Sequence, residues 1–420
     1  MNCRHCNAAL ELTFLDLGFA PPSNAYLSSG NLTEPEKYYP LKVMVCTECW
    51  LVQTIDYTSA ATLFTPEYAY FSSTSKSWLE HSQKYVKMIT NKLKLDQDSF
   101  IVEVASNDGY LLRNFVDRDI PCLGIEPTES TASAAEKLGV PVVKEFFGES
   151  LANELVSTHR KADLIIGNNV YAHVPDINDF TLGLKQLLAI NGTITLEFPH
   201  LLNLIEHKQF DTIYHEHFSY LSLGTVCKIF ESAKLRIYDV EELRTHGGSL
   251  RVYGCHEDDT RQLSDKVPLI CSREQNFGLK DVKTYYQFQG TVEIIKNNFL
   301  KFLIEQKELG KTTIGYGAAA KGNTLLNYAG VKSDLIAAVC DAAEAKQGNY
   351  LPGSHLAIMA PKVLADIKPD NILILPWNLK SEIISILEEE IEWNCNFVTA
   401  IPDLQIVSNH VYENKDRGTT

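Results

Sequence analysis

The chain has 420 residues, 45% of them hydrophobic and 22% charged, and a formal net charge of −15. That length implies two or three domains with separate cores, and the acidic balance opposes nucleic-acid binding, which needs clustered Lys and Arg. The opening MNCRHCNAAL lacks the apolar run of a signal peptide, and no stretch reaches the ~20 apolar residues of a spanning helix; a cytoplasmic protein without a membrane partner is expected.

Cys3 and Cys6 form one C-x-x-C pair and Cys46 and Cys49 a second, with 39 residues between them. Two such knuckles bring four thiolates around one tetrahedral ion, a closed structural zinc site. Unrelated core cysteines or a disulfide pair are the alternatives, and nothing in the chain marks it for export. The remaining cysteines, Cys122, Cys227, Cys255, Cys271, Cys340 and Cys395, are scattered, which suits a reducing compartment. Residues 1–65 are therefore expected to be a zinc-binding module whose structural zinc lies far from the chemistry.

Apolar spacing predicts a helix over Ser75–Leu95. Phe100–Val104 follows as a short strand, Ala105–Gly109 (ASNDG) as a turn, and a helix with Leu111, Leu112 and Phe115 inward. Further strands are predicted at Pro121–Ile125, Val140–Val143, Ala162–Ile166, Thr193–Phe198, Leu235–Val240 and Ser249–Tyr253, with a helix at Thr225–Ala233. Alternating strands and helices imply a doubly wound α/β domain with a parallel sheet, over residues 66–255. Ligands bind at the carboxyl ends of such strands. There lie Glu103, Ser106, Asn107 and Gly109 of the first strand and turn, Glu126, 17 residues past Gly109, and Asn168-Asn169 after the fourth strand. Glu126 is placed to accept both hydroxyls of a ribose; the bland alternative is a turn glycine and a surface carboxylate. The turn is not G-x-G-x-x-G, so it suits a dinucleotide poorly. It resembles the E-x-G-x-G-x-G element of class I S-adenosylmethionine methyltransferases, with Ala105 and Asn107 replacing the first two glycines.

Fifteen residues after Pro199 comes Tyr214-His215-Glu216-His217. A histidine there can take a proton near neutrality, a glutamate can orient it, and a tyrosine can donate to an oxyanion. A second metal site and a polar loop packed on itself are the alternatives. His173, just past the fourth strand, can face the same crevice or merely cap a helix.

The last third reads as a long helical stretch over 281–309, a strand Thr312–Gly315, a small-residue turn Gly315–Thr324, a strand Leu335–Cys340 ending at Asp341, and a strand Ile372–Leu375. Backbone N–H groups at such a turn, with Lys321, suit a phosphate. A second Rossmann-like α/β domain over 256–410 is expected, with Gly317, Lys321, Asn323 and Asp341 as candidate ligand residues; a purely structural domain is the alternative.

Taken together, the two knuckles, YAYFSS (Tyr68–Ser73), VEVASNDGYLL, NNVYAHVPD, EFPHLLNLIEHKQFDTIYHEHFSYLS and HGGSLRVY resemble the nucleotide-sugar C-methyltransferase family over nearly the whole chain. The resemblance implies methyl transfer from S-adenosylmethionine to a carbon beside the keto group of a nucleotide-diphosphate-linked 4-keto-deoxysugar, C3 being the family's usual position. It implies that His173, Tyr214, Glu216 and His217 line the site, that Tyr70 reaches into it, and that the third domain holds the nucleotide diphosphate. His217 is the first-choice base and Tyr214 the second, with Glu216 supporting and His173 stabilising the enolate oxygen. An O- or N-methyltransferase on a sugar or small metabolite, and a non-enzymatic zinc adaptor, are the rival readings. The sequence names no oligomeric state.

Overall fold

The structure, a computed structural model, describes residues 1–57 and 71–409. The chain forms two compact units: residues 1–15, 42–206 and 216–286 make the first, and residues 16–41, 207–215 and 287–420 the second. Strands β1 (Leu12–Ala20) and β2 (Tyr39–Val45) carry the chain out of the first unit and back.

In the first unit, β3 (Val52–Thr54) pairs antiparallel with β2. The main sheet contains β4 (Ile101–Val104), β5 (Cys122–Ile125), β6 (Val142–Val143), β7 (Ala162–Asn168), β8 (Leu188–Pro199), β10 (Leu235–Leu243) and β11 (Ser249–His256), and the two-residue β9 (Ser219–Tyr220) joins β3 instead. The sheet order is β10-β11-β8-β7-β4-β5-β6. The order reverses beside β4, so a crevice opens at the carboxyl ends of β4 and β7. The alternation of strands and helices predicts a parallel sheet; instead β11 runs antiparallel to both β8 and β10. Thr245–Gly247 lies between β10 and β11, and a connection of five residues has no room for the crossover that a parallel pair needs.

β4 reads IVEV and is buried throughout, the continuous burial of a strand covered on both faces. One face packs Tyr85, Val86 and Ile89 of the helix Lys76–Leu93 against Ile101, Leu111, Phe115 and Ile166. Ser75 starts that helix by accepting the N–H of Trp78, and Lys94 ends it in the left-handed conformation at φ 56°. The other face packs Val102, Ile125, Ile165, Leu196 and Phe230 in one cluster with Cys3, Cys46, Cys49 and Leu51. The metal knuckles thus share a core with the sheet.

The second unit holds β12 (Thr313–Tyr316), β13 (Val339–Cys340), β14 (Ile358–Met359), β15 (Asn371–Ile374), β16 (Cys395–Thr399) and β17 (Gln405–Asn409), in the order β14-β13-β12-β15-β16-β17. Only β17 is antiparallel to its neighbour. Ile314, Cys340, Ile372, Ile374, Leu387 and Phe397 form its core. The strand expected at Leu335–Cys340 shrinks to two residues, because Lys332–Leu335 closes a turn through Leu335 N–H to Lys332 C=O. The helical stretch expected over 281–309 breaks at Gln287 into Val282–Tyr286 and Phe288–Glu308, where the chain passes from one unit to the other.

Among the described residues no helix is long and apolar enough to cross a membrane.

Candidate functional site

The two knuckles are near copies. Asn7 donates its N–H to Cys3 C=O at 3.0 Å, and Trp50 to Cys46 C=O at 2.9 Å. Both turn residues are left-handed, at φ 61° and 66°. The four sulfurs lie within 4.8 Å of one another, with Cys3–Cys49 at 3.5 Å and Cys6–Cys46 at 3.4 Å. A Zn–S bond of about 2.3 Å sets sulfurs about 3.8 Å apart on a tetrahedron, so the set fits. Four thiolates leave no open position, and the zinc they hold is structural.

The module is tied to the acid–base cluster through β3. β9 begins two residues after His217 and pairs with β3 through Val52–Tyr220 and Gln53–Ser219. Thr54 donates its hydroxyl to His217 C=O at 3.2 Å and its N–H to Phe218 C=O at 3.1 Å.

At the end of β4 the turn closes without the first two glycines of the E-x-G-x-G-x-G element. Ala105 and Asn107 take left-handed φ of 57° and 50°, and Gly109 follows at 75°. A Cβ on Gly109 would stand 3.0 Å from that of Ala135, so close packing on the helix Glu129–Lys137 also demands glycine there. The helix after the turn is one short piece, Arg113–Val116.

Glu126 ends β5 with its side chain turned onto this loop. Its carboxylate accepts Asn107 N–H at 3.0 Å, Thr128 N–H at 2.9 Å and the Thr128 hydroxyl. Asn107 Oδ1 accepts Ser72 N–H at 2.9 Å, and Asp108 Oδ2 accepts Ser73 N–H at 3.0 Å, so both side chains anchor the segment entering the first helix. Glu103 is fully buried beneath the loop, and burial pushes its carboxyl well above the usual range, with Asp108 and Glu126 adding to the rise.

Around this turn, buried polar atoms lack protein partners: Ser106 Oγ, Asp108 Oδ1, both side-chain atoms of Asn168 and Asn169 Oδ1. Orphans of this kind are costly unless a ligand or water meets them, and they converge at the switch point where a nucleoside cofactor binds. The residues present fit S-adenosylmethionine.

Sequence reasoning missed an aromatic wall beside these atoms. Trp78 stacks on His81 at 4.9 Å, meets His246 edge-on at 5.2 Å and lies 6.0 Å from Tyr110, and Asn169 Nδ2 is 3.1 Å from His246 Nε2. Beneath it Glu197 binds His81 at 3.0 Å, Arg251 at 2.7 Å and Thr245 at 2.8 Å. Burial raises the Glu197 pKa, but His81 and Arg251 outweigh it and hold the carboxyl at about 2. No local pattern marks these residues, since Trp78 and His246 are 168 positions apart.

His173 and His217 come together with ring centroids 4.6 Å apart, edge to face. His173 Nδ1 donates to the backbone C=O of Glu216 at 2.8 Å, which puts its proton on Nδ1 and a lone pair on Nε2. Burial holds its pKa down, at about 4. A ring in that tautomer accepts; it has no second N–H for the enolate oxygen. The main chain of Glu216 orients His173. Tyr214 lies in the second unit's segment 207–215. His215, in the same segment, has Nε2 3.2 Å from Tyr39 C=O and its ring against that of Tyr39. Tyr70 is outside the described residues. The four-cysteine set is the one cluster suited to a metal among the described residues.

In the second unit Gly317 and Gly322 serve packing. A Cβ would come within 2.5 Å of Pro376 and 2.7 Å of Leu375, respectively. Asp341 accepts Ala318 N–H at 2.7 Å and Ala343 N–H at 2.8 Å, and pairs with Lys346 at 3.3 Å. Lys321 donates to Asn378 at 2.7 Å and lies over the Trp377 ring; burial lowers its pKa, while nearby Asp211 opposes the fall. Asn323 is fully buried with Oδ1 unpartnered.

A sheet with one reversed strand, a cofactor turn at its switch point and a four-thiolate module define a class I S-adenosylmethionine-dependent methyltransferase with an N-terminal zinc-binding domain. Family profiles agree: a zinc binding domain matches residues 3–64, a methyltransferase domain 78–240, and a C-methyltransferase C-terminal domain 244–402. The chain is 32% identical over 406 residues to the C-methyltransferase NovU of Streptomyces niveus, covering 97% of this chain and 96% of that protein. It belongs to this C-methyltransferase family. Solved structures with local similarity include an S-adenosylmethionine-dependent methyltransferase from Clostridium acetobutylicum (TM-score 0.34, 10% identity, 42% of this chain and 92% of that one). Another is the magnesium protoporphyrin IX methyltransferase of Synechocystis with bound S-adenosylhomocysteine (TM-score 0.34, 14% identity, 42% and 82%).

Proposed function

We propose that this C-methyltransferase acts on a nucleoside-diphosphate-linked 4-keto-deoxysugar and methylates the carbon next to the ketone, C3. A carbon acceptor must first lose a proton to become an enolate, and S-adenosylmethionine supplies the electrophilic methyl. His217 takes that proton, and Tyr214, three residues earlier, is the second choice. The observation that carries the reading is the His173–His217 contact. His173 stays uncharged at neutral pH, so proton uptake at His217 meets no positive charge on the ring it touches. Methyl transfer to oxygen also needs a base but no enolate, so loss of a carbon-bound hydrogen separates the two.

The sugar rests on the family resemblance of the YHEH and HGGSLRVY segments. The nucleotide rests on the second unit, where a small-residue turn and Asp341 stand at the ends of β12 and β13 as in nucleotide-binding sheets. Incubating the enzyme with a nucleoside-diphosphate 4-keto-deoxysugar in D₂O, without cofactor, tests the reading. Deuterium should enter at C3. An enzyme that methylates the sugar but never exchanges that hydrogen, with or without cofactor, is an O-methyltransferase.

A further inference from the structure

Arg4 stands between the metal ligands Cys3 and Cys6, yet its side chain is only 7% exposed. Nη1 donates to Pro175 C=O at 2.7 Å. Nη2 donates to Thr54 C=O at 3.0 Å and to the Asp56 carboxylate at 2.8 Å. The guanidinium also lies over the Phe218 ring at 5.4 Å. Pro175 is two residues past His173, and Phe218 is one past His217. One side chain therefore grips both histidine-bearing loops.

The knuckle fixes Arg4 in turn. Its N–H donates to Gln53 Oε1 at 2.9 Å, and Gln53 Nε2 donates to Cys3 Sγ at 3.2 Å. Next to it, Asn178 Nδ2 donates to His5 C=O at 2.8 Å, and Asn178 Oδ1 meets His5 Nδ1 at 2.8 Å. The first knuckle is thus tied to the loop after His173 at Pro175 and to the helix Ile177–Leu187 that follows at Asn178. A guanidinium suits this task because its planar fork serves several acceptors while its face stacks on a ring; an ammonium is a point charge and does neither as well.

We infer that Arg4 is a positioning residue for the His173–His217 pair, and that through it the zinc knuckle sets the geometry of proton removal. The inference rests on the reading that this pair moves the substrate proton. A displacement of ~1 Å at reacting groups can cost up to about 100-fold in rate, so loosening one loop against the other should be visible in turnover.

The test uses full-length, zinc-loaded Arg4→Ala and Arg4→Lys proteins, with metal content and melting measured first. Cofactor-free deuterium exchange into the ketosugar is then followed against pH, and the imidazole C–H resonances of His173 and His217 are recorded by NMR. Arg4→Ala should keep its zinc and its cofactor affinity, lose roughly 10–100-fold in exchange rate, and move both imidazole resonances. Arg4→Lys should fall between it and wild type. Asp56→Asn, which removes only the half-exposed partner of Arg4, should lose least. A zinc-loaded Arg4→Ala with wild-type exchange and unmoved resonances overturns the inference. If Arg4→Ala does not fold or loses its metal, Arg4→Lys decides on the same criteria. If wild type itself never exchanges, with or without cofactor, the C-methylation reading falls, and the resonances still decide whether Arg4 positions the rings.

Discussion

His173 donates its Nδ1–H in a hydrogen bond to the main-chain carbonyl of Glu216, one residue before the ring of His217 that it touches. One hydrogen bond thus fixes the tautomer of one histidine and the approach of the other. The consequence for acid stability is direct. The native pKa of about 4 lies below the 6.5 of an ordinary imidazole. Between those values the unfolded chain binds a proton that the native ring refuses. The stability His173 contributes is whole above about pH 6.5 and is lost as pH falls toward 4. His173→Asn should flatten the fall in stability between pH 6.5 and 4 relative to wild type. Urea unfolding at a series of pH values measures it, and parallel curves for the two proteins would contradict the assignment.

The zinc module should matter to catalysis as well as to folding. Thr54 and β9 tie it to the segment carrying His217. Cys46→Ser should lower the zinc content from about one per chain, the single tetrahedral site. It should also reduce deuterium exchange in the fraction that remains folded. Full zinc content in a protein lacking Cys3, Cys6, Cys46 and Cys49 would refute the site.

Much of this was legible in the chain, for identifiable reasons. Metal knuckles and strand-end turns are local, so Cys3, Cys6, Cys46, Cys49, Glu126 and Asn168 stand out by spacing alone. The left-handed conformation at Ala105 was hidden, because alanine does not advertise positive φ as glycine does or, more weakly, as Asn107 does. Arg4 was invisible for another reason. Its partner Pro175 is 171 residues away, and nothing in C-R-H-C says where the arginine points. The reversed β11 and the short β13 were missed because strand propensity carries no direction and does not foresee a turn at Lys332–Leu335.

Cofactor binding should depend on Glu126 and Asn168 in different ways. The Glu126 carboxylate already holds the turn through Asn107 N–H, so Glu126→Ala removes the proposed ribose acceptor and loosens the loop together. A loss of about 1.5–3 kcal/mol in S-adenosylmethionine affinity is expected, the worth of hydrogen bonds to a charged group. Asn168 has no protein partner to lose, so Asn168→Ala should weaken binding while leaving the melting temperature of the cofactor-free protein near wild type. Calorimetry and melting separate the two, and unchanged affinity in both variants would remove them from the site.

The second unit offers a test of the nucleotide assignment. Lys321 stands in the first turn of the helix Ala320–Ala329, with Asn378 as its partner. Lys321→Met should weaken nucleoside-diphosphate binding by about 1.5–3 kcal/mol, on the scale of charge-assisted hydrogen bonds, and leave S-adenosylmethionine affinity unchanged. Melting shifts with added nucleoside diphosphates report it, since a ligand of the native state raises stability by mass action. Equal shifts in wild type and variant would place the diphosphate elsewhere.

The order of the acid–base residues is settled by exchange. General-base catalysis contributes about 10²–10⁴-fold, so His217→Asn should lose cofactor-free exchange on that scale while S-adenosylmethionine affinity holds. His173→Asn should lose less, because the His173 ring acts by staying neutral beside His217, and removing it introduces no charge. Tyr214→Phe is the discriminating control. If it abolishes exchange while His217→Asn exchanges at the wild-type rate, the tyrosine is the base and the histidine pair only shapes its surroundings. If both variants lose exchange but only His217→Asn regains it with added imidazole, the proton goes to His217, and Tyr214 acts on the carbonyl oxygen instead.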